Sequence, residues 1–315
     1  MHVVIHLPRF FYATLASTAA EMLSLANTVD NGPRFTTEFV SSHVPAVSRL
    51  GITFPARTRP SRKMDLLVLL SAPHPTPEES VSLLLEEGRR VQRLVELALR
   101  QGATIAAPCA APFFLAMHGL LDARRATVGW WLKNEVEQRF PAVKWDTSRL
   151  VVRQGSLYTA GASFAVVDLM STLLIDLGFA AQERQVRRLM ALPARRKVQT
   201  PFELPDDHRS HPFVKEALRH IPRDLSLLTP GFLANKLHLS ERTLSRRFVV
   251  EIGTSPGQWI QGLKLQAARS LLEDTHLSVS EVCLRSGYLD QASFSRLFKR
   301  KTGLTPGDYR SNFLV

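Results

Sequence analysis

Two folds in series are predicted by this sequence: an α/β domain built on a parallel sheet with helices on both faces, then an all-α domain carrying two helix-turn-helix units. Three observations predict them. Short apolar runs of buried-strand length alternate with helical patterns through residues 1–190, a proline-rich stretch ends that alternation, and the remaining chain writes one helical unit twice.

Length and composition permit both domains. The 315 residues suffice for two separate cores, and 45% hydrophobic with 22% charged residues is the balance of a globular protein. No apolar run approaches the roughly 18 residues that a membrane-crossing helix needs. Met1–Pro8 lacks the basic start and long apolar segment of a secretory signal. A cytoplasmic protein with no membrane partner is the expectation. Cys109 and Cys283 are the two cysteines and stand far apart, which argues against a disulfide framework and a cysteine-based zinc site. No metal or other cofactor is expected.

The elements of the first domain follow in order. Val3–Leu7, Leu66–Leu70 and Thr104–Ala107 are apolar runs, each followed by turn residues and a helical pattern, of which Glu78–Arg100 is the clearest. Leu157–Gly161 and a helix from Phe164 to about Met190 close the series. Continuous apolar runs suit strands covered on both faces, so the sheet is read as parallel and flavodoxin-like.

Residues 191–212, "ALPARRKVQTPFELPDDHRSHP", hold four prolines and no sustained apolar period, and read as a linker. The run Arg195-Arg196-Lys197 within it is taken as a solvated charge run, with phosphate contact as the alternative. Beyond it the periodicity is helical, beginning with the apolar face Phe213, Val214, Ala217, Leu218 and Ile221.

The net charge of +12 calls for an anionic partner, and its distribution places that partner towards the end of the chain. Residues 213–315 carry 15 Lys/Arg against nine Asp/Glu, the most basic stretch per residue.

Laying Leu239–Trp259 over Leu289–Tyr309 gives seven identities in 21 places, where composition alone gives roughly one or two. They are Leu239/Leu289, Ser245/Ser295, Arg246/Arg296, Phe248/Phe298, Gly253/Gly303, Pro256/Pro306 and Gly257/Gly307. Each unit reads as a short helix, a tight turn and a second helix, the layout that puts the second helix into a major groove. Leu244 and Phe248 face the core, leaving Glu241, Arg242, Ser245 and Arg246 outward. In the second unit Phe294 and Phe298 face inward, leaving Gln291, Ala292, Ser295, Arg296 and Lys299 outward. Ser240 and Asp290 stand at N-cap positions.

These outward residues suit base edges: arginine for guanine, glutamine for adenine, glutamate for cytosine and alanine for the thymine methyl. Lys299-Arg300-Lys301 and Arg310 suit phosphate, which adds affinity without specificity. The helix-prone stretch "QWIQGLKLQAARSLLED" is a stiff spacer that would set two reading helices about one turn of duplex, ~34 Å, apart.

The ordered elements "LANKLHLSERTLSRRF", "LKLQAARSLLED", "VSEVCLRSGYLDQASFSRLFKRKTGLTPGDYR" resemble the DNA-binding domain of the AraC/XylS family of transcription regulators over about residues 213–312. The resemblance implies seven helices, promoter DNA and RNA polymerase as partners, and activation as the usual mode. Cys283 takes the place of Ala234 of the first unit and is expected to be a small buried residue.

"ATIAAPCAAPFFLAMHGLLDARRATVGWW" and "YTAGASFAVVDLMSTLLIDLGFAAQ" resemble the ThiJ/PfpI-type (class I glutamine amidotransferase-like) domain over residues 1–190. Catalytic relatives activate a cysteine on a strand-to-helix elbow with a histidine and an acidic neighbour. Cys109 takes the elbow here and Glu21 is the candidate acid, but Gly129 stands where related regulators often have histidine, and His118 lies too far down its helix. His74 is a further candidate for contact. No catalytic residue is therefore assigned, and a Cys109-dependent hydrolase or amidase fused to a DNA-binding module is the alternative reading. An unidentified small-molecule effector is expected at the carboxyl ends of the strands, near Arg9, Glu21, His74, Cys109 and the loop Ala160–Ser163. The first domain is also the expected interface of a homodimer.

Overall fold

The computed structural model describes residues 1–29, 35–72, 77–193, 195–199 and 211–311. The chain divides into two compact units, residues 1–200 and 201–315. Each is described by itself.

The first unit runs β1 (His2–His6), α1 (Ala13–Ala26), β2 (Thr36–Val40), a β3–β4 pair (Ala46–Val47, Thr53–Phe54), β5 (Ala56–Arg57), β6 (Leu66–Leu69), α2 (Pro77–Gln101), β7 (Thr104–Ala107), α3 (Pro112–Met117), β8 (Arg125–Ala126), α4 (Lys133–Arg139), β9 (Lys144–Trp145), β10 (Val151–Gln154), β11 (Leu157–Ala160), α5 (Ala165–Asp176) and α6 (Ala180–Leu189). The main sheet has the order β10-β11-β7-β6-β1-β2-β5. All its pairings are parallel except β10 with β11. Every residue of β1, β6 and β11 is buried, which is why these strands read as mainly apolar runs.

Two cores flank the sheet. On one face α2 and α3 contribute Leu84, Val91, Val95, Phe113 and Phe114; on the other α1, α5 and α6 contribute Leu15, Met22, Leu169, Leu173 and Val186. The buried positions of α2, including Val81, Leu84, Gly88, Val91, Val95 and Ala98, recur at three- and four-residue steps, and charged residues fill the opposite face. The single helix expected from Phe164 to Met190 is instead two. Gly178, at φ +90°, ends the first in a left-handed turn, and Phe179 restarts the chain into α6.

The stretch expected as a linker straddles the division between the units. Arg196 is anchored to Asp168 by its backbone N–H (2.9 Å) and its guanidinium (2.7 and 3.0 Å). Gln199 is fully buried. Arg196 is thus ion-paired rather than solvated, because Asp168 is a buried carboxylate that needs a partner.

The second unit contains α7 (Pro212–Arg219), α8 (Pro230–Lys236), α9 (Glu241–Arg247), α10 (Pro256–Asp274), α11 (Val279–Arg285), α12 (Gln291–Thr302) and α13 (Pro306–Arg310). These are the seven α-helices that the resemblance implied, counted among the described residues. Two clusters form its core, one around Phe248 and Trp259 and one around Phe298 and Tyr309. The aromatic pairs match across the repeat, with ring centroids 5.3 Å apart in the first and 5.1 Å in the second.

Candidate functional site

The repeat explains itself residue by residue. Gly253 (φ +75°) and Gly303 (φ +79°) each end a unit in the left-handed region that disfavours side chains. Ser255 and Thr305 then cap the next helix, and Pro256 and Pro306 occupy its first turn. In the first unit Thr229 caps α8 and Ser240 caps α9, each hydroxyl accepting a backbone N–H at 3.1 Å. In the second, Ser278 and Glu281 form a capping box on α11, and Asp290 accepts from Ser293 N–H at 2.8 Å. The turns differ by one residue, pivoting on His238 (φ +53°) and Gly287 (φ +83°). Gly287 is further constrained because a Cβ there would lie 2.6 Å from the Leu225 carbonyl carbon.

Leu244, Phe248, Phe294 and Phe298 are fully buried, so the opposite faces of α9 and α12 are left to solvent. Arg242, Ser245, Arg246, Gln291, Ala292, Arg296, Lys299 and Arg300 are exposed, and Ser295 is half-buried. Glu241 is exposed too, although its carboxylate lies beside Gly231 in the first turn of α8. Arg296 donates to Ser293 Oγ at 3.0 Å, which orients its guanidinium along the helix. Arg310, expected to meet phosphate, is half-buried and donates to the Leu277 carbonyl. Arg247 is likewise structural: it stacks 3.9 Å from the Phe213 ring centroid and pairs with Glu251 at 2.7 Å. The 19-residue helix α10 separates the two units, a rod of about 28 Å.

In the first unit, β7 runs into an elbow at Cys109, whose φ is +64°. Its thiol is buried, 3.4 Å from Ser163 Oγ, while the next N–H, of Ala110, donates to Ser71 Oγ at 3.2 Å. Burial pushes the thiol pKa up, and the Ser163 and Ser71 hydroxyls offset only part of that. His118 is committed elsewhere, its Nε2 lying 3.0 Å from the Gly88 carbonyl. At Gly129, a Cβ would lie 2.7 Å from the Trp131 ring, so Trp131 occupies the space that a larger side chain would need.

Of the described residues expected around an effector, Arg9 and Glu21 line separate pockets. Glu21 sits on the exposed face of α1, in a shallow groove with Ser17, Ile52 and Phe54, because its helical position turns it away from the sheet. His74 lies outside the described residues. Arg9 lines a cleft of about 300 Å³ with Phe10, His43, Glu87, Arg90 and Phe114. Its guanidinium rests 4.7 Å from the Phe10 ring centroid. Arg9 follows β1 and Ala72 follows β6, so the cleft opens at the carboxyl ends of two neighbouring strands where the strand order reverses. At β1's carboxyl end the buried His6 Nε2 stands 3.3 Å from Glu87 Oε1. Sequence reading missed His6, His43, Glu87 and Arg90. Only His6 carried a signal, as a polar residue ending an otherwise apolar strand.

Gln199 was also missed. Its Nε2 donates to the carbonyls of Val128 (2.9 Å) and Thr147 (2.7 Å), and its Oε1 accepts from Ala162 N–H at 3.0 Å. Cys109 N–H in turn donates to the carbonyls of Ala160 and Gly161. The segment leading out of the first unit is therefore fastened to the loop that lies against the elbow.

With the geometry in place, comparison with known proteins gives what each part of the chain resembles. A family model described as Helix-turn-helix domain matches residues 233–312, and the DJ-1/PfpI family model matches residues 80–175. The two matches lie in series, the DJ-1/PfpI model before the AraC-type helix-turn-helix model. It is 28% identical over 276 residues to the HTH-type transcriptional regulator CdhR of Pseudomonas aeruginosa, covering 85% of this chain and 78% of that one. With the regulator GbdR of the same species the identity is 25% over 311 residues, covering 96% and 82%. The match to the Pseudomonas aeruginosa regulator ArgR is 29% over 226 residues and spans 67% of this chain but only 65% of that relative. A Vibrio parahaemolyticus protein of known crystal structure superposes with a TM-score of 0.51 at 20% identity, over 60% of this chain and 98% of its own, which supports the fold alone. No helix among the described residues is long and apolar enough to cross a membrane.

Proposed function

We propose that the protein is a sequence-specific DNA-binding transcription regulator whose DJ-1/PfpI domain senses a small effector without catalysis. The observation that carries this reading is the pair of matched, capped helices α9 and α12, each turning an arginine, Arg246 and Arg296, to solvent from the same register of the repeat. On either side of these arginines lie side chains that can pair with base edges. The names of the relatives, all HTH-type transcriptional regulators, support the same reading.

In this account Glu241, Arg242, Ser245, Arg246, Gln291, Ala292, Ser295 and Arg296 face bases, and Lys299 and Arg300 face phosphate. The effector enters the cleft of Arg9, His43, Glu87 and Arg90. Cys109 is not its nucleophile, since a buried thiol with a raised pKa lacks the thiolate character that attack requires. A cytoplasmic homodimer that activates promoters through RNA polymerase completes the proposal. The test is selection of genomic fragments by the full chain, followed by binding of the best site and its scrambled counterpart at two salt concentrations. A preference of at least ~1,000-fold is expected for a specific regulator; equal binding of the two sequences would overturn it.

A further inference from the structure

A groove on the first unit collects five cations. Arg149, Arg153, Arg195, Arg196 and Lys197 line a depression of about 410 Å³ beside Asp168. Backbone pairing brings these distant residues together. The segment after α6 runs back over the start of β10, where Arg149 bridges to Val198 and the Leu150 N–H donates to the Lys197 carbonyl at 3.0 Å. Asp168 fixes that segment through Arg196, and Thr172 Oγ1 donates to the Asp168 carbonyl at 2.7 Å, which ties the acid's own turn of helix.

The acids at this groove are already neutralised. Asp168 pairs with Arg196 at 2.7 Å and Asp176 with Arg153 at 3.0 Å. Arg149, Arg195 and Lys197 are exposed and form no ion pair among the described residues. A run of like charges free in solvent would spread apart, whereas these are held on one concave surface, where their fields add. An anion with several charges relieves that repulsion.

We propose that this groove holds phosphates of the DNA backbone that flanks the sequence read by α9 and α12, so that the first domain adds affinity without base specificity. The inference rests on the DNA-binding reading above. The step from Gln199 to the capping His211 of α7 spans at most on the order of 40 Å even when extended. Flanking duplex therefore lies within the tether's reach. The three cations that form no ion pair among the described residues would release up to three counterions, an increment of about 2–3 in the salt slope.

The experiment uses the full chain and two duplexes sharing one selected site, one of about 20 base pairs and one of about 60, followed by fluorescence anisotropy across a salt series. The variant R149Q/R195Q/K197Q is compared with wild type, and R195Q/K197Q serves as a milder second variant. The groove predicts that the triple variant loses at least tenfold affinity on the long duplex near 100 mM salt, with a slope shallower by about 2–3, and binds the short duplex as wild type does. Equal affinity and slope on the long duplex would overturn it. So would stabilisation by inorganic pyrophosphate that the variants abolish while long-duplex binding stays unchanged, which would assign the groove to a free phosphate ligand. Backbone phosphate needs no sequence, so the groove's contribution is read even if the scrambled site binds as well as the selected one, an outcome that would sink base reading instead.

Discussion

Gln199 and Gly161 share one space: a Cβ on Gly161 would sit 2.1 Å from Gln199 Oε1. The amide of Gln199 fits because residue 161 has no side chain, and it then satisfies backbone groups of Val128, Thr147 and Ala162 at once. Removing it leaves those buried groups without partners. Gln199→Ala should cost the first unit about 2–4 kcal/mol, since each orphaned buried polar group costs about 1–3 kcal/mol and some readmit water. Urea unfolding of the full chain measures it; a loss under ~0.5 kcal/mol would show that the amide is not the fastening described.

The elbow thiol should be inert in the folded protein. Burial raises the Cys109 pKa, so the reactive thiolate is scarce near neutrality and grows only as pH climbs past the ordinary thiol value of about 8.5. Iodoacetamide labelling followed by peptide mass spectrometry should find Cys109 modified at least tenfold more slowly than free cysteine at pH 7.5. The difference should vanish in denaturant. Rapid labelling at neutral pH would reopen the hydrolase reading.

At the start of α12, hydrogen bonds from Ser293 hold the Asp290 carboxyl below its ordinary pKa. A depressed folded pKa stabilises the folded state above the unfolded value of about 3.9, and that contribution disappears as pH falls through the folded value. Asp290→Ala should therefore weaken DNA binding and helix content near neutrality, and differ less from wild type as the pH is lowered below about 4. Circular dichroism across pH 2–7 reads this. A gap that widens in acid would contradict the capping role.

Gly287 combines a left-handed φ with the backbone of Leu225 pressed against it. Gly287→Ala should destabilise the second unit by about 2–3 kcal/mol, the sum of backbone strain and overpacking. Gly257→Ala, at a position with open space and an ordinary φ, is the control and should change stability by less than ~0.5 kcal/mol. Equal effects from the two would remove the steric argument.

How far the sequence discloses all this depends on whether a contact is local. Strands β1, β6, β7 and β11 were legible because burial on both faces favours mainly apolar runs. The helix-turn-helix pair was legible because caps, left-handed glycines and first-turn prolines act within five residues of one another. Contacts across long separations left little trace. His6 meets Glu87 and Arg196 meets Asp168 only once the sheet has formed. β2, with its polar Thr36, Thr37 and Glu38, lacks the apolar run that announces a buried strand. Arg310 looked like a phosphate ligand because its charge is visible in the sequence and the Leu277 carbonyl that takes its hydrogen bond is not.

The central claim is that α9 and α12 read bases through Arg246 and Arg296. The most direct measurement is the affinity of wild type, Arg246→Ala and Arg296→Ala for the selected site and for a scrambled duplex, at matched salt. Each substitution should weaken the selected site by about 1–3 kcal/mol and the scrambled duplex far less, collapsing the specificity ratio. Equal loss on both duplexes would mean that these arginines hold phosphate alone, and the assignment of base reading to the two helices would be wrong.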